Sequence, residues 1–356
     1  MSEGGGEPPR AGPAAEHDVA LLDLDGVVYT GPAAVPGAVP ALERARAAGL
    51  RLAFVTNNAS RSPSAVAEHL TSLGVRAVAA DVVTSAQAAA TLVAGRFPPG
   101  SPVLAVGTIA LRLALREAGL RPVSVAAERP VAVVQGYAPD LSYGLLAEAA
   151  LAVRSGALFV ASNADPTLPT ARGLQPGNGS LVQVIVTATG VRPVVAGKPE
   201  PPLHAEAMAR TGARRPLVVG DRLDTDIAGA VRGGADSMLV LTGVTTPLDA
   251  VLAPPGQRPT YLAADLGGLL EPQPAIGPRG PAGGAGQGGA AANGAVSCGG
   301  WTARRGPGPC PVELTGAGAW IDGLRAVCAA AWALDDGRRI TADQAARALG
   351  RLGTQP

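Results

Sequence analysis

The chain of 356 residues is 47% hydrophobic and 16% charged, the composition of a globular protein long enough for two domains or more. A formal net charge of +1 supplies no basic field for nucleic acid, and 3% aromatic content leaves few platforms for stacked bases. No apolar run reaches membrane-spanning length, and the acidic, glycine-rich start MSEGGGEPPR is unlike a signal peptide, so a soluble, cytoplasmic chain is expected.

The first segment with chemical character is VALLDLDGVVYTG, Val19–Gly31. A short apolar run, Val19 to Leu22, reads as a buried strand, and it delivers Asp23 and Asp25 to its carboxyl end, where open α/β sheets bind ligands. An EF-hand calcium loop is excluded, because it needs glycine sixth and glutamate twelfth, whereas counting from Asp23 Gly26 is fourth and Ala34 is twelfth. A plain strand-end turn also uses Asp and Gly, so DxDG alone does not decide. Next, Val39–Gly49 has helical spacing, and Arg51–Val55 reads as a strand ending in Thr56, Asn57 and Asn58. Strand, helix, strand at this spacing predicts a parallel βαβ unit. Thr56 and the amides after it suit a phosphate oxygen.

Helical patterns follow at Ser64–Leu73 and Ala86–Ala94. From about residue 100 a second α/β set begins: strands at Val103–Val106, Val131–Val134 and Leu158–Ala161, helices at Leu111–Ala118 and Leu145–Arg154. The stretch from Asn163 to Gly179, rich in Pro, Gly and Asn, reads as a long functional or disordered loop. A helix at Ser180–Thr189 leads back to VVAGKPE, where a Walker A loop is excluded by its spacing and by Pro199. Lys198 is the only lysine in the chain, all other cationic side chains of this type being arginine. A compact ammonium standing alone in an arginine-rich chain marks a place where a planar guanidinium fails, as at a single phosphate oxygen. A strand at Pro216–Val219 then discharges Asp221, Asp224 and Asp226, a helix follows at Ile227–Val231, and Ser237–Leu241 is a further strand.

The domain reading is 1–16 as a disordered start, 17–85 and 193–270 as core, and 86–192 as an inserted α/β cap. Residues 271–300 form a Gly/Pro/Ala-rich linker, and 301–356 a small extension with a strand at Val312–Leu314 and helices at Ala319–Leu334 and Thr341–Leu349, the latter capped by Thr341. Cys298, Cys310 and Cys328 are too sparse for a disulfide framework or zinc site and read as reduced thiols. His17, His69 and His204 read as surface or boundary residues.

Four strand ends thus carry Asp23/Asp25, Thr56-Asn57, Lys198 and Asp221/Asp226. In this order DxDGVxxxG, TNN, GKP and GDRLxTDI resemble the motifs of the haloacid dehalogenase superfamily of phosphatases, in the subclass whose cap lies between the second and third motifs. The resemblance spans residues 17–270. It implies a doubly wound, Rossmann-like parallel-sheet α/β core with an inserted α/β cap. It implies Mg2+-dependent hydrolysis of a small phosphorylated metabolite, with Asp23 as nucleophile and Asp25 as acid and base. Asp23, the Asp25 carbonyl and Asp221 would hold Mg2+. Thr56, Asn57, Asn58 and Lys198 would hold the phosphoryl oxygens, and Asp226 would orient Lys198 or a metal-bound water, with Asp224 a weaker candidate.

The resemblance also implies glycerol 3-phosphate, from phospholipid headgroup recycling, as the substrate. Leu168 stands where relatives acting on pyridoxal phosphate carry a histidine, and Arg172 is the only cation in the loop from Asp165 to Gly179 that could meet a phosphoglycolate carboxylate. Phosphoglycolate, a broad 4-nitrophenyl phosphate-type activity and a non-catalytic phosphate-ester sensor are the alternatives. A homodimer is the expected assembly.

Overall fold

The computed structural model describes residues 12–170, 172–279, 295–306, 312–333 and 340–353. Two compact units result: one takes the chain up to Thr30, Ala34–Leu52 and Ala213 onward, the other Gly31–Ala33 and Ala53–Gly212. Both are α/β, with parallel sheets and flanking helices, as the alternation of elements predicts.

In the first unit four parallel strands lie side by side in the order Tyr261–Ala263, Asp236–Val240, Pro216–Gly220, Val19–Leu22. Val19 stands opposite Pro216 and Leu22 opposite Val219, while Leu217 faces Asp236 and Met238 faces Tyr261. Every residue of these strands is buried, which explains why Val19–Leu22 and Pro216–Gly220 read as continuous apolar runs without alternation. Pro13–Glu16, expected as disordered, forms a helical turn instead. It is tied down by His17, whose Nδ1 lies 2.7 Å from the Pro13 carbonyl and whose Nε2 lies 3.1 Å from Asp236 Oδ2. Residues 1–11 of that expectation lie outside the described residues. His17 and His204 are buried, not at the surface or boundary.

The C-terminal part belongs to this unit. Residues 271–279, read as the start of a linker, are packed: Gln273 Nε2 donates to the Gly268 carbonyl at 2.7 Å, and Arg279 donates to Glu16 at 2.8 Å and to the Tyr261 hydroxyl at 2.7 Å. Residues 280–294 lie outside the described residues, and Ala295–Cys298 is a strand although the linker was expected to run to residue 300. That strand pairs antiparallel with Trp301–Arg305, which pairs with Val312–Gly316. Helices Trp320–Trp332 and Ala342–Leu349 follow, the second capped by Thr341 as predicted. Leu314, Leu324, Val327, Cys328 and Trp332 share one apolar cluster with Ile227, Leu239, Val251 and Leu262. The extension is too small for a core of its own and completes one that the sheet begins.

In the second unit the last residues of the strand Arg51–Thr56 pair in parallel with Val82–Thr84, Phe54 opposite Val82. A five-stranded parallel sheet runs in the order Val194–Val195, Leu158–Ala161, Ala132–Gln135, Pro102–Val106, Arg121–Val123. Its helices Tyr143–Arg154 and Asn178–Thr189 contribute Ala149, Val153, Val182 and Ile185 to a core with Leu104, Val133 and Phe159. The segment read as an irregular loop is a β-hairpin, Thr167–Thr170 against Gly173–Pro176. Its strands are mostly solvent-facing, so they leave no apolar alternation for the sequence to display. Among the described residues no helix is long and apolar enough to cross a membrane.

Candidate active site

Each unit gathers its own part of the predicted set. In the first, the strand Val19–Leu22 ends beside Pro216–Gly220, and the Asp23 amide donates to the Val219 carbonyl at 2.8 Å. This pairing fixes the backbone from which Asp23 projects. Asp221 leaves the end of the neighbouring strand, where Val244 N–H donates to its Oδ2 at 2.7 Å. Asp226 sits on a wide helical turn, Leu223–Ile227, and its Oδ2 accepts from the Arg222 amide at 3.2 Å.

One oxygen from each of Asp23, Asp221 and Asp226 lies within 4.8 Å of the others. Asp221 and Asp226 are each only 1% exposed. Carboxylates gathered away from water need positive charge beside them, and an all-oxygen donor set of this kind fits Mg2+. Asp226, expected as an outer partner, stands within this carboxylate cluster. Asp25 is exposed, on the tight turn after Asp23. Asp224 is exposed and forks with Arg222, at 3.0 Å and 2.9 Å. The Arg222 hydrogen bonds hold its carboxyl below the usual range, against a smaller upward effect of burial.

The second unit assembles the cationic part. Thr56 is buried at its strand end, and its Oγ1 accepts from the Asn58 amide at 3.1 Å. Lys198 is 4% exposed, with Nζ 3.3 Å from the Val55 carbonyl. The Asn57 carboxamide grips the Lys198 backbone on both sides, accepting from its N–H at 2.8 Å and donating to its carbonyl at 3.1 Å. The Asn57 side chain therefore holds the Lys198 backbone by both its carboxamide atoms.

Two residues that the motifs do not reveal complete this arrangement. Asp165 Oδ2 accepts from Asn57 Nδ2 at 3.1 Å, and Asn163 Nδ2 donates to the Asn57 carbonyl at 2.7 Å. The signal for them was the segment SNAD, with three polar residues of four, directly after the strand Leu158–Ala161. Leu168 lies half-buried on the first strand of the hairpin, and Arg172 is exposed at its turn.

The chain is similar to known families and proteins along most of its length. A model described as haloacid dehalogenase-like hydrolase matches residues 20–121, and one described as HAD-hydrolase-like matches 195–269. A GCN5-related N-acetyltransferase like domain model matches 298–354. The chain is 56% identical over 256 residues to the D-glycerol 3-phosphate phosphatase of Mycobacterium tuberculosis, covering 72% of each protein. It is 38% identical over 253 residues to an acid sugar phosphatase of Staphylococcus aureus, covering 70% of this chain and 96% of that protein. The crystal structure of a glycerol phosphate phosphatase from Mycobacterium tuberculosis in complex with magnesium matches with a TM-score of 0.83 at 47% identity, over 96% of this chain and 99% of that one.

Proposed function

The chain belongs to the haloacid dehalogenase-like hydrolases, and we propose from that premise that it is a Mg2+-dependent phosphomonoesterase acting on glycerol 3-phosphate. The cluster of Asp23, Asp221 and Asp226 carries this reading, since it supplies a nucleophile and a cation site in one place.

In the proposed reaction Asp23 attacks phosphorus and forms an aspartyl phosphate while the glycerol oxygen departs, so one hard displacement becomes two easier ones. Asp25 gives that oxygen its proton, then takes a proton from the water that hydrolyses the aspartyl phosphate. Asp23, the Asp25 carbonyl and Asp221, with Asp226 beside them, would hold Mg2+, which when bound would offset charge between the carboxylate nucleophile and the phosphate dianion. Lys198, Thr56 and the amides of Asn57 and Asn58 hold the phosphoryl oxygens and stabilise their charge in the transition state. A cytoplasmic setting agrees with the free thiols of Cys298 and Cys328.

The test is phosphate release from glycerol 3-phosphate, phosphoglycolate, pyridoxal phosphate and 4-nitrophenyl phosphate, with and without Mg2+, by the unaltered chain and Asp23→Asn. Metal-dependent release that is best on glycerol 3-phosphate and lost in the variant supports the reading. Preference for phosphoglycolate moves substrate recognition to Arg172. Absence of release from every ester in Mg2+-loaded, folded protein favours the sensor.

A further inference from the structure

Asp25 is exposed, carried by the backbone that directly follows Asp23. That backbone is a closed turn. The amides of Val27, Val28 and Tyr29 reach the Leu24 carbonyl at 3.3, 2.9 and 3.1 Å, and the Gly26 amide donates to the Tyr29 carbonyl at 2.8 Å. Gly26 has φ +79°, the left-handed region that glycine enters without strain.

The turn is anchored from a distant part of the chain. Thr242 Oγ1 donates to the Gly26 carbonyl at 2.6 Å. Thr242 opens the segment that follows the strand Asp236–Val240, and the residues after it hold Asp221: Val244 N–H donates to Oδ2 at 2.7 Å and Thr245 N–H to the Asp221 carbonyl at 3.2 Å. A side chain at Gly243 would run into the Asp221 carboxylate, and one at Gly26 would come within 2.6 Å of Asp221 Oδ2 and 3.0 Å of Gly243 Cα. Neither glycine tolerates a Cβ without displacing an acid. The short segment 242–245 thus grips Asp221 by its amides and the Asp25 turn by one hydroxyl.

We propose that Thr242 is a positioning residue for proton transfer by Asp25. The inference rests on the reading of Asp25 as acid and base given above. An alkyl ester releases a strongly basic alkoxide, which needs a proton as the P–O bond breaks, whereas 4-nitrophenolate is a weak base and leaves without one. A correctly placed general acid contributes about 10²- to 10⁴-fold to such a step, and this contribution falls when the acid is misplaced. Losing the Thr242 anchor therefore penalises alkyl esters selectively.

The experiment compares kcat/KM for glycerol 3-phosphate and for 4-nitrophenyl phosphate, since this ratio reports the steps through phosphoryl transfer to Asp23. Thr242→Val should lower the alkyl value about tenfold or more while leaving the aryl value within about twofold. Thr242→Ser, which keeps the hydroxyl, should restore the ratio, and the Mg2+ concentration for half activity should be unchanged in both. Asp25→Asn is the reference and should show the same selectivity in larger degree. If Asp25→Asn is selective and Thr242→Val lowers both esters equally or neither, the role of Thr242 is overturned alone. If Asp25→Asn itself shows no selectivity, the reading of Asp25 as the acid falls and the Thr242 inference with it. Thermal midpoints of the variants separate either result from misfolding.

Discussion

Asn57 and Lys198 are locked together through a single carboxamide, with Oδ1 accepting from the Lys198 amide at 2.8 Å and Nδ2 donating to its carbonyl at 3.1 Å. The two residues come from different motifs, and this clasp fixes the stem of the lone lysine. Removing it with Asn57→Ala should lower kcat/KM on the order of 10²-fold, the scale expected when a charged group shifts by about 1 Å. Asn57→Asp should do no better, because its carboxylate would face Asp165 and the Lys198 carbonyl where a donor is needed. Steady-state kinetics of the two variants checks this, and recovery in Asn57→Asp would contradict it.

The surroundings of Lys198 make it intolerant of arginine. It is 4% exposed, with its ammonium against the Val55 carbonyl, and a planar guanidinium is both longer and differently shaped. Lys198→Arg should retain the fold and lose roughly 10²-fold or more in kcat/KM. Near-normal turnover in that variant would show that the lysine survives for some reason other than phosphate binding.

Mg2+ should stabilise the protein as well as activate it. A cation among Asp23, Asp221 and Asp226 binds the folded chain alone, so at about 100 times its Kd it adds about 2.7 kcal/mol. The thermal midpoint should rise with Mg2+ and fall with a chelator, and Asp221→Asn should abolish that response. A response that survives in Asp221→Asn would place the cation elsewhere, and a midpoint indifferent to Mg2+ would mean that none binds.

The two described thiols should be silent in the native state. Burial pushes the Cys298 thiol up to about 12, with the nearby Asp322 carboxylate adding to the effect, and burial also raises Cys328. The thiolate is the reactive form, so both should resist alkylation at pH 8 until the protein is unfolded. The unfolded thiol ionises near 9.0, so this contribution to stability is complete below that pH and is lost as pH rises from 9.0 through about 12. Mass spectrometry after timed labelling checks the first point and alkaline unfolding the second. Cys310 lies outside the described residues.

The C-terminal extension should be inseparable from the first unit. Leu324 is fully buried, and Trp332 donates from Nε1 to the Ala250 carbonyl at 3.2 Å with the Arg258 guanidinium 5.8 Å from its ring. Leu324→Ala should cost about 2–5 kcal/mol and Trp332→Ala about 3–5 kcal/mol, read by urea denaturation of the whole chain. An extension that folded as a separate body would instead give two unfolding transitions, with the first unit unmoved by either change.

The strands and the residues at their ends were legible in the sequence because each strand of a parallel sheet is buried on both faces. Val19–Leu22 and Leu158–Ala161 therefore stand out as short apolar runs, and whatever follows them is delivered to one end of a sheet. That rule located Asp23, Thr56 and Asp221, and the chain's single lysine located Lys198. Short edge strands such as Val194–Val195 and the solvent-facing hairpin Thr167–Pro176 carry no such signature and were missed. What only the tertiary structure decided is how the site is held. Asn57 reaches Lys198 across 141 positions of chain, and Thr242 reaches Gly26 across 216. Hydrogen bonds between residues so far apart leave no periodicity and no local spacing, since their geometry exists only once the sheets have formed.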